Sequence, residues 1–379
     1  MHGAGFGADG RFGGRRMSMS ITGKGLVRRW GGRAVGLAVT GVGLYIVTPS
    51  LLTMFGAWPR LADVDEPWFV ILAVLEACSL ACLWWLARIA LASPDDPVPD
   101  GAADQQAQAP PRLGWGTAAA AQLAGNAASK VVPGGAATGG VVQGKVLIQS
   151  GQRAGAVASG LTATNLLGTA VLLILPVLTI PALIIGPPPA KQLQLGLLVS
   201  LILAAVIVAI GVTALTWPSV VAATGMITGR VVHVFRKSVT PRGLADGLLA
   251  QRARVAAAFR GRWWTAVFAA AANRMLDYAA LVAALVAFGA HVRPSEVLLA
   301  YVVAQAFAII PITPGGVGFV DAGLTALLVL VGVPADTALI GTLLYRLFSF
   351  WLPIPIGGLA WGWWRIHHQA ADRRLTDIG

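Results

Sequence analysis

The chain has 379 residues, 56% of them hydrophobic and only 12% charged, with a formal net charge of +12. A soluble domain carries about a quarter charged residues, so the composition excludes an ordinary soluble globular protein and points to an all-α polytopic membrane protein. The basic balance alone would suit nucleic acid, but the Lys and Arg cluster beside apolar runs, as they do on the cytoplasmic side of membrane spans, and nucleic acid is not an expected partner.

Residues 1–33 carry seven Lys/Arg among many glycines and are expected to form a disordered cytoplasmic N-terminus. They do not read as a signal peptide, because the first apolar run has full span length and no small-residue cleavage site follows it. Runs of roughly twenty apolar residues are long enough to span the hydrocarbon core. Six occur, at 34–56, 68–90, 154–184, 193–217, 263–289 and 336–364. With the segments between them they make one expected membrane domain, 34–364, followed by a cytoplasmic tail, 365–379.

The second run carries Glu76, which has no obvious partner, and the only two cysteines, Cys78 and Cys82. The cysteines lie four apart on one helical face, where helix geometry disfavours a bridge, and they read as small packing residues. Segment 92–112 is rich in Pro, Asp and Gln and reads as a flexible linker.

Next comes the first copy of a repeated motif. Pro133-Gly134-Gly135 recurs as Pro314-Gly315-Gly316, and the same intervals then lead to a glycine (Gly151, Gly332), an alanine (Ala154, Ala335), a glycine (Gly160, Gly341) and a leucine (Leu166, Leu347). Matching Pro/Gly breaks between apolar segments suggest a transporter-like fold of two structural halves with a site near the breaks. Ahead of the first break, Asn126 and Ser129 flank Lys130. A cation beside free backbone N–H groups at a half-helix start suits an anion. Gln143 and Lys145 lie on the returning arm, where Lys145 reads either as a second ligand or as a side chain snorkelling to the surface.

Segment 218–262 holds eight Lys/Arg spaced among apolar residues. It reads as an amphipathic helix or helix pair on anionic inner-leaflet lipids, with a solvated loop as the alternative. In the fifth run, Arg274 and Asp277 are three apart and able to pair on one helix. Ionisable residues within spans are costly and are functional hypotheses by default. After the second break, Asp321 and Arg346 read either as a mutual ion pair or as joint ligands of a zwitterionic or anionic head group.

Charge decides how the chain crosses. If each Pro-Gly-Gly segment is a re-entrant hairpin, 115–150 and 297–332, the loops on one side hold 20 Lys/Arg and those on the other hold three. That side is cytoplasmic by the positive-inside rule, so both termini face the cytoplasm. Three spans separate the hairpins, which are therefore inverted repeats. Irregular backbone at membrane depth must be buried in protein or line a cavity, so the two tips are expected to meet or to face one cavity.

No histidine falls in a span, which leaves Glu76, Asp277 and Asp321 to carry any ion coupling. There is no phosphate-binding Walker loop, paired-His metal motif or nucleophile elbow, so no cofactor, no metal and no catalytic residue are expected.

The stretch from Pro311 through Leu328, the run Gly332-Val333-Pro334-Ala335 and the stretch from Leu343 through Pro353, with Asp277 and Gly289 upstream, resemble the transmembrane region of lysylphosphatidylglycerol synthases. Free-standing relatives of that region are described as flippase-like. The family places a basic residue before the acid that follows Pro-Gly-Gly; here Val320 stands at the basic position and Asp321 keeps the acid. The resemblance implies the lipid-translocating half alone, without the soluble synthase domain, in the bacterial cytoplasmic membrane. It also implies membrane lipids as partners and an envelope synthesis enzyme as another. The expected function is flipping of a phospholipid or lipid-linked head group. The alternatives are a non-transporting assembly or regulatory partner, a membrane lipid enzyme with Asp277 as base, and a small-solute transporter.

Overall fold

A computed structural model describes residues 64–92, 113–132, 135–175, 216–235, 240–259, 261–308 and 316–376, with isolated positions elsewhere. The expected spans 34–56 and 193–217, the segment 1–33, the linker 92–112 and the residues Pro133, Gly134, Pro314 and Gly315 lie wholly or largely outside them.

Among the described residues every regular element is a helix. In chain order these are α1 (Glu66–Leu91), α2 (Trp115–Val131), α3 (Gly135–Gln149), α4 (Ala154–Ile174), α5 (Pro218–Phe235), α6 (Pro241–Ala258), α7 (Trp263–Val286), α8 (Pro294–Ala308), α9 (Phe319–Leu330), α10 (Ala335–Arg346), a π-helical turn (Leu347–Trp351) and α11 (Pro353–Thr376). Four stretches are long and apolar enough to cross a membrane: α1, α4, α7 and Ala335–His367. The protein is a multi-pass membrane protein.

Local chemistry sets the ends of these helices. α1 starts with a proline in its first turn and places Glu66 there and Arg88 in its last turn, which complements the helix dipole. α6 starts at Thr240, whose side chain accepts from the Gly243 amide, an ordinary N-cap.

Small residues draw the helices together. Lipid offers no hydrophobic drive for helix association, so close backbone approach has to supply contact. α2 and α3 form an antiparallel hairpin. Gln143 donates to Gln122 (2.5 Å), and a Cβ on Gly139 would lie 2.6 Å from the Gly125 carbonyl oxygen and 2.7 Å from Ser129 Cβ. α5 and α6 pair antiparallel in the same way, with Gly225 against Ala245 and Gly229 against Pro241. Segment 218–262 is thus a helix pair. α1 runs against α7, where Asn273 Nδ2 donates to the Ser79 carbonyl (3.0 Å) and Ser79 Oγ donates to the Asn273 carbonyl (3.2 Å). The largest apolar core joins α7, α8, α9 and α10 through Leu281, Leu285, Tyr301, Leu328 and Leu344.

The sixth apolar run, read as a single span, is one span-length helical stretch, Ala335–His367, with a π turn inside it. α10 gives way to the π turn, with an amide of Leu352 bonded to the carbonyl of Leu347 (2.8 Å). The cause is Pro353. Proline has no N–H, and its ring clashes with the carbonyl four residues back, here that of Ser349. Widening to a π turn relieves the clash, and Pro353 gives that carbonyl no i+4 donor.

Candidate functional site

The carbonyl freed by Pro353 is where the first Pro-Gly-Gly segment attaches. Lys130, in the last turn of α2, donates from Nζ to the Ser349 carbonyl (2.6 Å) and to the Phe350 carbonyl (3.2 Å). Its ammonium lies 5.1 Å from the centroid of the Phe350 ring, within cation–π range. A lysine at a helix C-terminus also suits the dipole. Ser129 donates to the Asn126 carbonyl (2.7 Å), so Asn126 takes part here through its backbone.

The second segment attaches to the same stretch of chain. Gly316 and Gly318 have φ of 72° and 79°, a left-handed turn open chiefly to glycine. The turn delivers Asp321 to the start of α9. There Oδ2 accepts from the Gly318 amide (3.0 Å) and Oδ1 binds Arg346 Nε. The ion pair forms, and the sequence alternative of a mutual pair is realised. The guanidinium lies 5.0 Å from the same Phe350 ring. Arg346 Nη2 is buried and has no hydrogen-bond partner, so the pair leaves one donor unused.

Asp277 corrects an expectation. It does not pair with Arg274: among the described residues no acid lies within ion-pair distance of that guanidinium. Instead Asp277 Oδ2 accepts from Tyr301 Oη (2.6 Å) and Gln305 Nε2 (3.0 Å), and Oδ1 accepts from Tyr345 Oη (3.0 Å). Helical spacing permits the Arg274–Asp277 contact, but donors from α8 and α10 have taken the carboxylate. Arg274 Nε is left buried without a partner. Glu76 of α1 has a partner after all, since its carboxyl lies beside that of Asp277. Its Oε1 is buried and receives no donor.

These groups form one neighbourhood. Lys130 is within electrostatic reach of Glu76, Asp277 and Arg346, Tyr345 is within reach of the same three, and Arg274 is within reach of Tyr301. Thr342 Oγ1 and Ser349 Oγ, on the same two turns of chain, are also buried and unpartnered. Buried polar groups are normally bonded, and an exception needs a reason. Here the spare donors of Arg346 and two hydroxyls lie on one stretch of chain, Thr342–Ser349, and suit an oxyanion; guanidinium recognises phosphate especially well.

Lys145 is not part of this neighbourhood. It lines a shallow apolar groove between α3 and α4 with Gly140, Val141, Gly144 and Ile148. Gly135 has φ of 51° at the start of α3. Pro133, Gly134, Pro314 and Gly315 lie outside the described residues. Among the described residues no three His, Cys, Asp or Glu side chains gather as metal ligands.

Sequence reasoning missed Tyr301, Gln305, Tyr345 and the two carbonyls that hold Lys130. The carbonyl site had a signal in Pro353, four residues after Ser349. The three donors to Asp277 had none beyond the i, i+4 spacing of Tyr301 and Gln305.

Two comparisons bear on what this neighbourhood belongs to. The family described as lysylphosphatidylglycerol synthase TM region matches residues 33–357. A stretch of 71 residues is 38% identical to a UPF0104 membrane protein of Pyrococcus horikoshii; it covers 19% of this chain and 21% of that protein.

Proposed function

The chain belongs to the lysylphosphatidylglycerol synthase TM region family, and from that premise we propose that it flips a phospholipid or lipid-linked head group across the bacterial cytoplasmic membrane. The observation that carries this reading is the buried polar neighbourhood around Arg346–Phe350, where cations with spare donors lie inside an otherwise apolar helix bundle. A phosphate head group would take Arg274 Nε, Arg346 Nη2 and the Thr342 and Ser349 hydroxyls, while its acyl or isoprenoid chains stay in lipid. Lys130 gives its hydrogen bonds to neutral carbonyls. A charged phosphate is the stronger acceptor, so ligand binding would draw Lys130 off the π turn and loosen the first hairpin. In this reading the chain is a transporter and not an enzyme.

The proposed topology has two re-entrant hairpins, 115–150 and 297–332, related as inverted repeats. Both termini and the helix pair of 218–262 face the cytoplasm. The bias of Lys and Arg toward those segments supports it. Exposed Trp217, Trp263 and Trp264 at the borders of the helix pair also support it, since tryptophan favours the membrane–water interface. The pair would rest on anionic lipids of the inner leaflet.

Vesicles holding only the purified protein test the reading. Fluorescent phosphatidylglycerol, its aminoacyl form and an isoprenoid-linked sugar are supplied in turn to wild type and to Asp321→Asn. The expected result is movement of one of them, lost in the variant. Folded wild-type protein that moves none would contradict the reading.

A further inference from the structure

The carboxyls of Glu76 and Asp277 are neighbours inside the bundle, and their hydrogen bonding is unequal. Asp277 accepts from Tyr301, Gln305 and Tyr345 across both oxygens. Glu76 Oε1 is buried with no donor at all. An ionised carboxylate needs donors, and two adjacent carboxylates in a low-dielectric site stay ionised together only while nearby cations offset them. A protonated Glu76 would supply its own donor toward Asp277. The arrangement therefore has a natural place for one exchangeable proton.

Charge balance links that proton to the ligand. The groups facing Glu76 are Asp277 of α7, Lys130 of α2 and Tyr345 of α10; Arg346 of α10 is reached through Lys130 and Tyr345, Asp321 of α9 through Arg346, and Arg274 of α7 through Tyr301 of α8. α4 and the π turn contribute no titratable side chain. Asp321 and Arg346 cancel. Lys130 and Arg274 then balance Asp277 and an ionised Glu76. A head group with one negative charge upsets this balance, and a proton on Glu76 restores it. Unbalanced buried charge is strongly penalised, so anion and proton each favour the binding of the other, by equal amounts.

We propose that Glu76 is a proton-carrying site and that one proton crosses with each anionic head group. The proposal rests on the translocation reading and names its energy source. The proton passes from water to a Glu76 carboxylate oxygen on one side and returns to water on the other, with no other bond changed.

The test uses the full chain in vesicles with fluorescent phosphatidylglycerol, voltage clamped by an ionophore and a gradient of about one pH unit. One coupled proton at that gradient gives a lipid asymmetry of up to about tenfold, because about 1.4 kcal/mol is a factor of ten. The asymmetry is expected in wild type, absent in Glu76→Gln and regained in Glu76→Asp. Wild-type lipid that moves but stays evenly distributed overturns proton coupling and leaves translocation standing. Asymmetry that persists in Glu76→Gln overturns the assignment to Glu76. If no lipid moves in wild type, both readings fall together. If only Glu76→Gln is inactive, infrared difference spectra decide. A protonated-carboxyl band that titrates in wild type and is missing from the variant supports the proposal; a band retained in the variant overturns it.

Discussion

In the first Pro-Gly-Gly segment the attaching group is a cation at a helix C-terminus, Lys130, and its target is a pair of neutral carbonyls. In the second it is an anion at a helix N-terminus, Asp321, and its target is a guanidinium. Both targets fall within Arg346–Phe350, and both cations lie against the ring of Phe350. Each charge sits at the helix end whose dipole favours it. The two copies share glycines and spacing but not the charged residue. The difference teaches that the repeat sets where each segment reaches, while single substitutions decide what it presents there. One attachment is a committed ion pair. The other is made to neutral carbonyls, and in the proposed reading it is the one a ligand is expected to release.

Breaking the ion pair should have the largest effect on stability. Arg346→Ala leaves Asp321 partly buried with only the Gly318 amide. Loss of one partner from a buried pair costs about 3 kcal/mol, at the low end of the usual range because Asp321 keeps some exposure. Thermal unfolding in detergent should show a clear fall in midpoint, and an unchanged midpoint would mean the second attachment holds nothing. A smaller effect is expected from Gly139→Ala, which forces a methyl against the Gly125 carbonyl and Ser129. Overpacking of this kind costs about 1–3 kcal/mol. It should loosen the α2–α3 hairpin alone, so hydrogen exchange should rise over 115–149 and not over 319–346. Equal exchange in both regions would show that the two segments do not act separately.

Much of the fold was legible because membrane spans declare themselves by length and composition. The run read as 68–90 is Glu66–Leu91, and the run read as 263–289 contains Trp263–Val286. The starts at Ala154 and Ala335 fall within a residue of the reading. The last run, read as 336–364, lies within the span-length stretch Ala335–His367; its internal π turn was not read because hydropathy cannot register a missing N–H, although Pro353 is plain in the sequence. At the site, the residue types were legible and their partners were not. Asp321 and Arg346, both picked out by their cost in a membrane, do meet. Arg274 and Asp277, linked by the i, i+3 rule, do not. The partners of Asp277 lie 24, 28 and 68 residues away, and local periodicity carries no information at that range. Glu76 looked solitary for the same reason.

The central claim is that the neighbourhood around Arg346–Phe350 takes an anionic head group and that Lys130 is its exchangeable ligand. Lipid retention by the purified protein, weighed by native mass spectrometry for wild type and Lys130→Met, tests it most directly. Wild type should keep phosphatidylglycerol in preference to a phosphatidylcholine of the same chain length, and Lys130→Met should lose about tenfold of that preference, the loss of roughly one charge-assisted hydrogen bond. Equal retention of both lipids by wild type, or an unchanged preference in Lys130→Met, would contradict the account.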